Sequence, residues 1–146
     1  MATTPQGNET YLSELDIRIW LRDHDPAANL LIKDLEFGNE EIRTACTLAV
    51  DAWNEEPPNM PGWNYTLYNF PFRHALLIGT SAKLLAIAAH LYRRNKLKYN
   101  VPGGAIDDQA RDKDYEEAAD RLWKEFMDWV RRKKRELNIR QGWARV

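Results

Sequence analysis

Residues 71–95 read PFRHALLIGTSAKLLAIAAHLYRRN, and their periodicity settles the architecture. Proline suits the first turn of a helix and does not recur in the stretch, so one helix is predicted from about Pro71 to about Asn95. Winding the residues at 100° each places Arg73, Thr80, Lys83, His90 and Arg94 on a stripe about 100° wide. Nearly everything else is apolar, including Leu76, Leu77, Ile78, Ala82, Leu84, Leu85, Ala88, Ala89 and Leu91. Such a helix must be covered on most of its circumference, which makes it the central element of an all-α fold. Lys83 and His90 interrupt the run before it reaches the roughly 20 apolar residues that a bilayer core demands.

Before this helix the chain supplies two more. Ser13 is placed to cap a first helix, with Glu14 and Asp16 in its first turn, and Leu12, Leu15, Ile19 and Trp20 as its apolar side. It stops near Asp23, because Asp25-Pro26 disfavours helical geometry before the proline. A short helical turn is expected over residues 26–32, with Leu30, Leu31 and Leu35 packing inward. Asn39 then caps a second helix on which Ile42, Ala45, Cys46, Ala49, Val50 and Trp53 recur at helical spacing. It ends before Pro57-Pro58. Residues 55–69 mix prolines with Trp63, Tyr65 and Tyr68, which predicts an ordered loop laid over a surface.

After the central helix, Val101-Pro102-Gly103-Gly104 is a turn signal flanked by Tyr99 and Ile106, so residues 97–106 read as a projecting loop or hairpin. A fourth helix is expected from Asp107 or Asp108, with Tyr115, Ala119, Leu122, Phe126, Trp129 and Val130 on one face. The basic run Arg131, Arg132, Lys133, Lys134 and Arg135 encircles that helix, so its last turn and a half is expected to leave the core. Residues 138–146 read as an extended C-terminal tail. The fold class is therefore a small helical bundle of about four main helices, one domain over residues 1–146, with residues 1–10 a flexible N-terminus.

Composition narrows the function. With 146 residues the chain can bury one core without metal or disulfide staples, and its one cysteine, Cys46, reads as core packing. No secretory signal pattern precedes residue 10, so the protein is expected to stay where it is made. Three histidines and one cysteine are too few and too scattered for a metal or hydrolytic site, and Asp23-His24-Asp25 is a poor ligand set because adjacent loop residues rarely converge on one ion. Gly103-Gly104 lacks the pattern that cradles phosphates. No enzyme activity, cofactor or metal is expected.

Net charge is −1, but its distribution is blocked. Residues 1–60 carry 12 acids and 4 bases, residues 61–106 no acid and 6 bases, residues 107–128 9 acids and 4 bases, and residues 129–146 1 acid and 7 bases. Two readings follow. Opposite faces can join copies head to tail, or folding brings the blocks together within one subunit. The basic C-terminal segment also invites a cytoplasmic nucleic-acid-binding role, since phosphate neutralisation needs clustered Lys and Arg.

Five strings stand out in order along the chain: Asp16-Ile17-Arg18-Ile19-Trp20-Leu21-Arg22-Asp23, Asp51-Ala52-Trp53-Asn54-Glu55-Glu56-Pro57-Pro58, Asn69-Phe70-Pro71-Phe72-Arg73, Arg94-Asn95-Lys96-Leu97-Lys98-Tyr99 and Asp112-Lys113. Taken together they resemble the head-to-tail connector (neck or adaptor) proteins of tailed bacteriophages. The likeness spans about residues 11–140. It implies a ring, commonly of twelve copies, that lies beneath the portal protein and contacts the tail or a second neck protein. DNA passes through the lumen without sequence-specific binding, and no membrane is involved. The expected location is the virion neck, reached from the host cytoplasm during assembly. In such proteins a loop and the C-terminal segment often reach neighbouring rings; here residues 97–106 and 138–146 occupy those places. The candidate interface residues are Trp63, Tyr99, Ile106, Trp123, Arg131, Arg132, Lys133, Lys134, Arg135, Ile139, Arg140 and Trp143. Tryptophans and arginines are chosen because such side chains dominate interface energetics.

Overall fold

The computed structural model describes residues 12–28, 34–59, 62–94 and 109–144, the last stretch without the side chains of residues 109, 110, 143 and 144. It is an all-α bundle with helices α1 (Glu14–Leu21), α2 (Asn39–Glu55), α3 (Arg73–Arg94) and α4 (Gln109–Ala144), and a 3₁₀ turn at Pro26–Ala28. The expected loop at residues 97–106, the N-terminus, Leu30 and Leu31 lie outside the described residues.

The α3 helix is central, as its composition requires. It packs on α2 and α4 and touches α1, and Leu76, Ile78, Gly79, Thr80, Ser81, Leu84 and Ala88 are all buried. By length and composition alone it could cross a bilayer, and about half of its apolar window is buried inside the bundle. Thr80 is fully buried, so the polar stripe expected along α3 is broken at that point.

Helices α3 and α4 are antiparallel. Arg93 meets Asp112 and Glu116, Lys83 lies over Trp123, Gly79 lies on the Phe126 ring, and Phe72 meets Trp129. A Cβ on Gly79 would stand 3.0 Å from three Phe126 ring atoms, so glycine sets the closest approach of the two helices. At 1.5 Å per residue α4 is about 54 Å long against about 33 Å for α3, and it runs past the start of α3. The core at that end is aromatic. Trp53 packs 5.6 Å from Phe70, 5.4 Å from Phe72 and 5.7 Å from Trp129. The proline-rich loop is laid over this cluster as expected: the Trp53 indole N–H donates to the Trp63 carbonyl at 2.7 Å, and the Asn54 amide bonds both backbone groups of Tyr65.

Other expectations are corrected as well. Residues 138–144 are helical, not an extended tail, because the run is free of proline and Glu136 pairs with Lys133 and Arg140 at helical spacing. The α2 N-cap is Gly38; Asn39 is already helical, and its side-chain oxygen instead accepts from Arg18 at 2.8 Å. Ser13 caps α1 as expected, through a reciprocal capping box with Asp16, but the helix buries the opposite face. Ile17 and Arg18 point inward, while Leu15, Ile19 and Trp20 are 59%, 51% and 51% exposed. The buried Asp23 explains that orientation. Its carboxylate accepts from Arg18 at 3.0 Å and from the backbone amides of Glu36 and Phe37 at 2.6 and 3.0 Å. Lys134, expected on a part of α4 that has left the core, is buried.

A candidate protein-interaction surface

The structure divides the interface candidates. Trp63 is 7% exposed and belongs to the aromatic core. Lys134 is 1% exposed: its stem packs inside, its ammonium lies 5.1 Å from the Trp53 ring centroid, and it donates to the Glu56 carbonyl. Glu56 is the C-cap of α2, so the cation occupies the negative end of that helix. Neither residue is available to a partner, and the basic run does not leave the core until it has passed this point. Burial pushes the Lys134 ammonium below its ordinary pKa, against the nearby Glu56 carboxylate.

Trp123 is half-buried, its ring tilted against Phe126 at 5.2 Å with the Lys83 ammonium 3.8 Å over it. Arg131 pairs with Glu56 at 3.0 Å, Lys133 with Glu136 at 3.7 Å and Arg140 with Glu136 at 2.7 Å. Arg132 and Arg135 are exposed without an ion pair among the described residues, and Ile139 is 53% exposed. Tyr99, Ile106 and the side chain of Trp143 lie outside the described residues.

Folding also joins the charge blocks. Asp16 meets Arg73 at 2.6 Å, Glu36 meets Arg111 at 3.9 Å, Arg93 meets Glu116 at 2.5 Å, and Glu56 meets Arg131. Three of these pairs link blocks of opposite net sign, while Glu36 and Arg111 join two net-acidic blocks, so part of the charge separation is satisfied within one subunit. The Glu36 carboxylate is the hub of another cluster. It accepts from the Tyr92 and Tyr115 hydroxyls at 2.7 and 3.1 Å, and these rings stack 5.4 Å apart under Arg111. Burial first, and then the carboxylate, holds the Tyr92 phenol far above its ordinary range, and burial raises Tyr115 in the same direction. This cluster ties the segment before α2 to the ends of α3 and α4.

Two apolar grooves flank His74. One, about 420 Å³, runs between α1 and α3 and is lined by Leu12, Ile19, Trp20 and Leu77 with the Asp16–Arg73 pair at its rim. The other, about 270 Å³, lies between α3 and α4 over Phe72, Ile78, Phe126 and Trp129, rimmed by Glu125 and Arg132. Among the described residues no group of three His, Cys, Asp or Glu side chains is arranged to hold a metal. Three of the exposed large apolar side chains, Leu15, Ile19 and Trp20, lie together on α1, whereas α2, α3 and α4 expose one each, Leu48, Leu91 and Ile139. Sequence reasoning missed this grouping by taking Leu15, Ile19 and Trp20 as the buried side; the available signal was that an eight-residue helix with apolar groups all round cannot bury them all.

Comparison with protein families, curated protein sequences and solved structures returns no match to this chain.

Proposed function

We propose that this chain is a structural subunit that binds other protein subunits, in the specific form of a ring component in the neck of a tailed bacteriophage. The observation that carries the binding role is the apolar surface on α1. Leu15, Ile19 and Trp20 are each about half exposed, and Ile19 and Trp20 line the groove formed with Leu12 and Leu77. Contiguous apolar surface of this kind marks interaction sites on soluble proteins, and tryptophan is among the side chains most often found at their energetic centres. The far end of α4 adds a second surface, with Ile139 and Arg135 exposed on a helix that outruns its neighbour. The ring, the portal and tail as neighbours and the DNA-filled lumen rest on the motif likeness.

Electron microscopy of the purified protein mixed with portal rings or emptied capsids tests this reading. Density added as a ring at the portal vertex is expected; a protein that stays monomeric and binds no portal overturns it. The alternative is nucleic-acid binding through the basic end of α4, favoured by Arg132 and Arg135, which are exposed and form no ion pair among the described residues. A DNA affinity that falls steeply with salt and vanishes when residues 131–135 are neutralised is its signature.

A further inference from the structure

The outer face of α4, opposite its contact with α3, carries charges in an order that is its own complement. Asp114, Glu117, Arg121, Lys124, Glu125, Asp128, Arg132 and Arg135 are all exposed. At 100° per residue they share one arc about 100° wide. Their signs run two negative, two positive, two negative, two positive. Reversing the helix about the midpoint between Lys124 and Glu125 sets every charge against its opposite: Asp114 against Arg135, Glu117 against Arg132, Arg121 against Asp128, and Lys124 against Glu125. Among the described residues these charges go largely unused. Of the eight, only Asp128 forms an ion pair among the described residues, at 3.8 Å to Arg131.

We infer that a second copy of this chain lies antiparallel along α4, with the two outer faces opposed in that register. The contact is isologous and closes at two copies, unlike the heterologous contact that builds a ring. It is thus independent of the neck reading. A parallel neighbour in the same register places each charge against its like, so the pattern selects direction as well as partner. The apolar groove rimmed by Glu125 and Arg132 lies along the edge of the same face and is partly covered by the pairing. The stripe itself is wholly charged, so the pair is weak and salt-sensitive, since exposed charges are screened within about 10 Å at 0.1 M salt and about 3 Å at 1 M.

Two charge-reversed variants test the register. Asp114→Lys with Glu117→Lys, and separately Arg132→Glu with Arg135→Glu, each place like charges together in a homodimer. Mixed in equal amounts, the two variants restore every opposed pair. Sedimentation at low salt is expected to find wild type dimeric, each variant alone monomeric with a dissociation constant raised at least about tenfold, and the mixture dimeric again. High salt is expected to dissociate both dimers. Circular dichroism checks that the variants remain folded. A wild type that is monomeric at low salt and high concentration overturns the inference. So does a dimer indifferent to both reversals, which places its contact on another face such as α1, or a mixture that fails to associate.

Discussion

Lys134→Ala separates a buried structural cation from an interface residue. The substitution removes three methylenes from a site 1% exposed, worth about 0.8 kcal/mol each. It also removes a hydrogen bond from a charged donor to the Glu56 carbonyl, worth about 1.5–3 kcal/mol. Against this, the ammonium no longer has to be desolvated, which is the strain seen in its lowered pKa. The net expected loss is about 3 kcal/mol, or a fall in Tm of about 6–12 °C for a chain of this size. Lys134→Met keeps most of the stem and sheds the desolvation penalty, so its loss should be about 1 kcal/mol. Urea unfolding followed by circular dichroism and by tryptophan fluorescence measures both, since Trp53 lies beside the ammonium. A Lys134→Ala midpoint within about 0.5 kcal/mol of wild type, the ordinary range for surface positions, would refute the buried-cap account. A Lys134→Met loss as large as that of Lys134→Ala would assign the stabilisation to the charge rather than the stem.

Gly79→Ala should destabilise by about 1–3 kcal/mol despite alanine's better helix propensity, because the new methyl meets the fully buried Phe126 ring at 3.0 Å; thermal unfolding reads it. Trp20→Ser should change the unfolding free energy by no more than about 1 kcal/mol while abolishing portal binding, and a large fall in Tm would contradict the placement of Trp20 at a surface. The raised phenol pKa of Tyr92 means that the folded chain holds a proton which the unfolded chain releases above pH 10. Its contribution is therefore present below about pH 10 and lost as pH rises further. The stability difference between wild type and Tyr92→Phe should shrink across that window, and a difference that grows with pH would reverse the sign of the argument.

Periodicity alone located α2, α3 and α4, because each carries many apolar residues at helical spacing and a long helix has one face to hide. It also marked the core positions Cys46, Trp53, Phe126 and Val130. The interface candidates were less legible. Trp63 and Lys134 were chosen by residue type, yet the same chemistry that suits a partner surface also suits a neighbouring helix of the same chain. A tryptophan amid prolines gives no sign that its carbonyl will receive the Trp53 indole proton.

What the sequence determined by itself is the set of helices and the identity of the central one, since these follow from local geometry and from the sheer apolar content of residues 71–95. Tertiary structure alone decided which face of α1 turns inward, that Asp23 and Glu36 become buried or half-buried acceptors, and that the charge blocks meet within one subunit. Each of those outcomes depends on partners distant in sequence. Arg18 and Asp23 orient α1 by gathering Asn39 and the amides of Glu36 and Phe37, a network that no window along the chain contains. Short helices are governed by such long-range contacts because they hold too few residues for their own periodicity to outweigh them.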